Sequence, residues 1–66
     1  MTIRLNGDPF DLAEPLSVSR LLEQLAIDAR RVAVERNQLV VKKAAYDSTV
    51  VTEGDEIEIV NFVGGG

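Results

Sequence analysis

A single stretch of the chain has the spacing of an amphipathic helix, and this limits the folds open to it. The apolar residues of that stretch recur at intervals of three and four, which places them on one helical face: Val18, Leu21, Leu22 and Leu25. Ser17 stands directly before them and can accept a hydrogen bond from a free backbone N–H. The helix is therefore predicted to begin after Ser17 and to end between Ala26 and Asp28.

Strand patterns flank this helix on both sides. The predicted strands are 2–5, 10–12, 32–35, 39–41 and 56–63. Asn6-Gly7 after the first strand tolerates the positive φ angles of a tight hairpin turn, and Pro9 suits an edge strand because it lacks an N–H. The last strand becomes almost continuously apolar, which favours a position paired on both sides near the centre of the sheet.

The segment 44–52 has a mixed pattern. Tyr46 and Val50 are predicted to be apolar plugs beneath a covering loop, and Gly54 is predicted to form a turn before the last strand. Asp55, Glu56 and Glu58 could form a paired-carboxylate site, but alternating acids on a strand are more often a solvated face. The solvated face is the interpretation we adopt.

The element order predicts an α+β fold with a mixed four- to five-stranded sheet and one main helix packed on one face. The β-grasp arrangement of ubiquitin satisfies this order, with the first and last strands parallel at the centre and the helix as a right-handed crossover. A ferredoxin-like fold is the alternative, but it needs a second helix that 44–52 does not supply. We expect a β-grasp domain over 1–63 and a flexible glycine tail over 64–66.

Composition excludes several functions. A chain of 66 residues forms one core, and with neither Cys nor His it offers no thiol nucleophile, histidine base or structural zinc site. A formal charge of -4 disfavours nucleic acid as a partner. No apolar segment approaches the ~20 residues of a membrane span, and no signal peptide is evident, so we expect a cytoplasmic protein without membrane contact.

The feature that carries chemistry is the run Gly64-Gly65-Gly66, which follows the last strand directly. Glycine has no side chain to clash, so such a tail can enter a channel too narrow for other residues. A terminal carboxyl with a reference pKa of ~3.3 to 3.7 is an anion at neutral pH and a poor acyl electrophile. The sequence has neither a GxxxxGK[ST] loop nor a GxGxxG unit, so activation of Gly66 would have to come from a partner.

The stretch GDEIEIVNFVGGG, from Gly54 to Gly66, closely resembles the ThiS family of sulfur carriers for thiamine thiazole synthesis. The family pattern is also matched by four shorter features, which are Asn6-Gly7, the Leu21-Leu22 pair, the run VAVERN at 32–37, and Tyr46. The likeness spans essentially the whole chain, and its most specific part is the strand that runs into Phe62-Val63 and the glycines.

This resemblance implies a carrier that is a protein co-substrate and not itself an enzyme. An E1-like adenylyltransferase of the ThiF type would use Mg-ATP to convert the Gly66 carboxylate into an acyl-adenylate, and this chain would bind no cofactor. A sulfur donor such as a cysteine desulfurase would then yield a thiocarboxylate for a thiazole synthase of the ThiG type. Gly64 and Gly65 would thread into the partners, and Phe62 and Val63 would contact them.

Three alternatives stay open at this point. The small subunit of molybdopterin synthase is similar in fold and chemistry, but those chains are usually longer and often carry proline shortly before two glycines. A β-grasp module that binds without covalent chemistry and a ubiquitin-like modifier that forms isopeptide bonds are the others.

Overall fold

The computed structural model describes residues 1–61, and the predicted domain boundary at 63 and 64 lies outside them. Seven strands and one α-helix are found in this range. In chain order they are β1 Thr2–Leu5, β2 Asp8–Asp11, β3 Leu16–Ser17, α1 Val18–Gln24, β4 Val32–Arg36, β5 Leu39–Val41, β6 Val50–Val51 and β7 Glu56–Asn61.

Five of these strands form the main sheet, in the order β2-β1-β7-β4-β5. The first and last strands, β1 and β7, are parallel, and every other neighbouring pair in this sheet is antiparallel. The central place of β7 and the edge place of β2, which contains Pro9, are both confirmed. The mixed sheet with α1 as the crossover is the predicted β-grasp architecture, and within residues 1–61 a second α-helix of the ferredoxin-like kind is absent.

Two tight turns set the hairpins of the sheet. Asn6 and Gly7 have φ angles of 50° and 89°, and Asn37 and Gln38 have φ angles of 53° and 71°. A turn with two successive positive φ angles matches the twist of the flanking strands. Asparagine and glycine favour such turns because they adopt positive φ at low cost. The predicted turn at Asn6-Gly7 is therefore confirmed.

Helix α1 begins as predicted, because the Ser17 hydroxyl accepts a hydrogen bond from the Arg20 N–H at 3.1 Å. It ends at Gln24, two residues before the predicted range. The cause is Ala26, whose φ of 58° turns the chain. The N–H groups of Ala26 and Ile27 then bond back to the carbonyls of Glu23 and Leu22, closing the helix end.

The segment after β5 differs from the predicted loop. Val50 and Val51 form the short strand β6, which pairs with β3 in a second small sheet. Side chains alternate along a strand, so Val51 is buried and Val50 is 47% exposed. The prediction that Val50 is a buried plug is wrong, whereas Tyr46 is buried as predicted.

The core lies between the sheet and the helix. It includes residues from β1, α1, β4, β6 and β7, one residue after β2 and one from the covering segment: Ile3, Leu12, Val18, Leu21, Leu22, Val32, Val34, Tyr46, Val51 and Ile57. The opposite face of the main sheet carries no helix among the described residues. This uncovered face is called the open face below.

Candidate functional site

The end of β7 is the part of the described structure closest in sequence to the predicted site residues. The predicted acceptor Gly66, the threading residues Gly64 and Gly65, and the contact residues Phe62 and Val63 all lie outside the described residues. The structure instead describes the end of β7, residues 59–61, from which the chain continues, and this end is called the platform below. Its last residue in β7 is Asn61, which pairs with Val32 at the start of β4.

The β4 side of this platform is fixed by the segment that covers the core. The Tyr46 hydroxyl donates to the Val32 carbonyl at 3.2 Å, and Lys43 Nζ donates to the carbonyls of Ala29 and Arg30 at 3.1 and 2.9 Å. Burial raises the pKa of the Tyr46 phenol above its usual range. The strand that pairs with the end of β7 is therefore held at its own beginning.

The β1 side of the platform is closed by a side chain. Asn6 Oδ1 accepts from the Ile59 N–H at 2.7 Å, and Asn6 Nδ2 donates to the Ile59 carbonyl at 3.3 Å. Sequence reasoning assigned Asn6 only to the hairpin turn and missed this second contact. The contact spans 53 positions in sequence, so no local pattern could have indicated it.

The open face beside the end of β7 combines apolar and acidic side chains. Val60 is 56% exposed and lies opposite Ala33, while Glu58 lies opposite Glu35. In the same row, Val40 of β5 pairs with Glu35 and is 71% exposed. Two carboxylates placed directly opposite each other repel, so a basic partner group bound there would relieve the repulsion.

Directly before the first residue of β7 lies a buried carboxylate that the sequence analysis assigned to a solvated face. Asp55 is only 7% exposed, so that assignment is wrong for Asp55, whereas Glu56 and Glu58 are exposed as predicted. Its side chain accepts three hydrogen bonds at 2.9 to 3.1 Å, from the Thr52 N–H, Arg36 Nε and Asn37 Nδ2.

Burial alone would raise the pKa of the Asp55 carboxyl, but its hydrogen bonds outweigh burial and hold that pKa below its ordinary value. Asn37 also accepts from the Glu56 N–H through its Oδ1 at 2.9 Å. Because every carboxylate contact of Asp55 is made within the fold, we interpret it as a structural anchor for the start of β7.

Neither a metal site nor a membrane span is evident in the described part of the chain. Residues 1–61 contain no group of three or more His, Cys, Asp or Glu side chains suited to hold a metal ion. Within the same range no helix has the length and apolar character needed to cross a membrane.

Comparison with known proteins shows the family of this chain. The sequence profile described as "ThiS family" matches residues 3–66. The chain belongs to the ThiS family. This ThiS-family chain is 38% identical over 50 residues to the sulfur carrier protein ThiS of Bacillus subtilis, a match that covers 76% of each chain.

A solved structure of a family member agrees with the fold. The crystal structure of a thiamine biosynthesis protein, ThiS, from Geobacter metallireducens is 40% identical, and the match covers 100% of both chains with a TM-score of 0.88. This likeness confirms the β-grasp architecture of the ThiS-family chain at a level of identity where homology is secure.

Another relative is much longer. The thiazole synthase of Paramagnetospirillum magneticum is 42% identical over 66 residues, which is 100% of this chain and 20% of that protein. The ThiS-family chain thus spans about one fifth of the length of this relative.

Proposed function

We propose that this chain is a sulfur carrier for thiazole formation in thiamine biosynthesis, with the carboxylate of Gly66 as the group that is activated and loaded. The observation that carries the proposal is the family match, which extends through Gly64, Gly65 and Gly66. The name of the longer relative, a thiazole synthase, supports an enzyme of that kind as the sulfur acceptor.

The proposed chemistry begins with activation of an unreactive anion. The Gly66 carboxylate attacks the α-phosphorus of ATP, supplied as Mg-ATP by an E1-like adenylyltransferase, and pyrophosphate leaves. The resulting acyl-adenylate has a good leaving group, so a persulfide from a donor such as a cysteine desulfurase can displace AMP. A thiol then cleaves the acyl disulfide, giving the Gly66 thiocarboxylate and a new disulfide.

The described residues support this role as a binding platform. The end of β7 is held on the β4 side by backbone pairing and on the β1 side by Asn6. The open face offers Val60 and Val40 beside Glu35 and Glu58, and an apolar partner surface with basic groups at its rim complements this arrangement. We assign this face to the docking of both the adenylyltransferase and the thiazole synthase.

The experiment that tests the function alters the reactive group alone. Deletion of Gly66, or addition of one residue after it, is expected to abolish acyl-adenylate formation with the host's adenylyltransferase and Mg-ATP. Deletion leaves the terminal carboxylate on Gly65, one residue short of the catalytic position. Extension converts the Gly66 carboxyl into a peptide bond and places the new terminal carboxylate one residue too far. Amide NMR spectra of the core residues serve as the control that both variants remain folded.

Full activity of either variant would contradict the proposal and favour a module that only binds. The loaded wild type should also transfer sulfur to a thiazole precursor in the presence of thiazole synthase. Transfer to a molybdopterin precursor instead would assign the chain to the other sulfur-carrier pathway. Accumulation of isopeptide conjugates of the loaded chain, without sulfur transfer, would indicate a protein modifier.

A further inference from the structure

We propose that Asn6 is a positioning residue for the activation reaction, because its side-chain amide fixes the course of β7 at Ile59, two residues before the last described residue of the strand. This inference rests on the proposed function, since it concerns how residues beyond Asn61 are presented to the adenylyltransferase. It assigns to Asn6 a role separate from the hairpin turn that it opens.

The main-chain ladder between β1 and β7 reaches as far as Asn6. The N–H groups of Arg4 and Asn6 donate to the carbonyls of Asp55 and Ile57, at 2.9 and 2.8 Å. In a parallel ladder that continued, the main-chain carbonyl of Asn6 would next accept from the Ile59 N–H. The positive φ of Asn6, 50°, turns the chain away into the hairpin instead.

The side chain of Asn6 takes over where its backbone turns away. Its Oδ1 replaces the missing main-chain carbonyl, and its Nδ2 replaces the next main-chain N–H. The backbone N–H and C=O of Ile59 are therefore both hydrogen-bonded. A carboxamide has the same donor and acceptor as a peptide group, which is why Asn can add one more rung to the ladder. An aspartate could not donate, and a glycine would offer neither group.

This rung matters for order more than for stability. The contact is exposed to solvent, so water can satisfy the Ile59 N–H and C=O when the side chain is removed. Water bound to Ile59 does not, however, fix the direction of β7, because it is not attached to β1. Beyond Ile59 the strand would then be guided only by its pairing with β4, and fewer molecules would present the tail in the orientation that the adenylyltransferase accepts.

The chain offers a matched control at the other end of β7. Asn37 also opens a turn with positive φ, and its side chain also contacts the β7 backbone, at the Glu56 N–H. It additionally bonds Asp55, so its removal should cost more stability than removal of the Asn6 amide. Asn6→Gly and Asn37→Gly both retain the backbone freedom that positive φ requires.

The test measures adenylation of the full chain by the host's adenylyltransferase with Mg-ATP, together with amide hydrogen exchange. For Asn6→Gly we expect the KM for the carrier to rise by ~5- to 10-fold with kcat nearly unchanged, because only the fraction of competent molecules falls. Exchange of the Ile59 amide should accelerate in the same variant. Asn37→Gly should keep the wild-type KM, although it unfolds at lower denaturant.

The outcomes separate this inference from the proposed function. If wild type is adenylated and Asn6→Gly has the same KM, or if the KM of both variants rises in proportion to lost stability, the positioning role of Asn6 is overturned alone. If wild type itself is not adenylated, the proposed function is overturned, and the positioning role with it.

Discussion

Ala26 shows how much single residues in unusual backbone conformations shape this small protein. It ends α1 with a φ of 58°, a conformation in which a Cβ lies too close to the following carbonyl oxygen. Glycine is the usual residue at this position of a helix end because it lacks that Cβ. The fold therefore tolerates local strain at Ala26 in order to turn the chain from α1 towards β4.

Ala26→Gly is expected to raise the free energy of unfolding by about 1 kcal/mol, because relief of the strain exceeds the added entropy of the unfolded chain. Urea denaturation followed by circular dichroism measures the change. Ala44→Gly is the matched control, since Ala44 is exposed and lacks a positive φ, and it should lower stability by about 0.5 kcal/mol. Equal losses in the two variants would contradict the strain assigned to Ala26.

Residue-level features were predictable only where the amino acid itself carries the signal. Asn6-Gly7 and Ser17 have well-known turn and capping chemistry, so their backbone roles followed from the sequence. Alanine carries no such signal, and the early end of α1 was missed. The amide of Asn6 and the carboxylate of Asp55 act on residues brought near by the fold, and a local pattern cannot show such contacts.

At the scale of secondary-structure elements, β7 organises the molecule because it pairs on both sides and is fixed at both ends. Asp55 holds its beginning through three hydrogen-bond donors. The side chain of Asn6 bonds it near its end. The strand that leads to the proposed reactive tail is thus paired on both sides and bonded by side chains near both of its ends.

Asp55→Asn is expected to lower the free energy of unfolding by about 2 kcal/mol at neutral pH, because the amide loses the ion pair with Arg36 and turns an N–H toward existing donors. The pKa of the Asp55 carboxyl is lower in the folded state than in the unfolded state. Its stabilisation is therefore present above the unfolded pKa of ~3.9 and is lost as pH falls through the folded pKa.

Urea denaturation at a series of pH values below neutrality tests this account. Wild type should lose stability in acid more steeply than Asp55→Asn. Glu56→Gln, which alters the neighbouring exposed acid, is the control and should retain the steep acid dependence of wild type. An Asp55→Asn variant with the same acid dependence as wild type would show that Asp55 is not the anchor described.

Elements with a clear period were predicted well, and the shortest ones were not. The helical stripe and the alternation of the first and last strands come from burial on one face, so sequence alone shows them. The strands β3 and β6 have two residues each, too few to display any alternation. As a result, the burial of Val51 in place of Val50 could not be derived from the sequence.

At the scale of the whole molecule, the helix covers one face of the main sheet, and within residues 1–61 no helix covers the open face. Sequence and family resemblance predicted the reactive tail, but they could not show which surface surrounds its point of departure. That surface depends on register across β5, β4 and β7, which places Val40, Glu35, Glu58 and Val60 together. The alignment of residues between these strands forms only when the sheet assembles, so a local sequence pattern does not show it.

Val60→Lys is expected to raise the KM for adenylation by ~10-fold, because a charge replaces an exposed apolar side chain on the open face that we assign to docking. Val50→Lys is the matched control. It is the same substitution at a valine of similar exposure, 47% against 56%, located in β6 outside the main sheet. Steady-state kinetics with the host's adenylyltransferase would contradict the docking assignment if the two variants, both folded, behaved alike.

The function proposed for this chain requires sulfur to be carried on the carboxyl carbon of Gly66. Intact-mass analysis after incubation with the host's adenylyltransferase, Mg-ATP and a sulfur source tests it directly, with fragmentation to locate the change. We predict a mass increase equal to one oxygen-to-sulfur exchange, confined to Gly66. An unchanged mass in the presence of active partners, or a sulfur atom located on any other residue, would contradict the account.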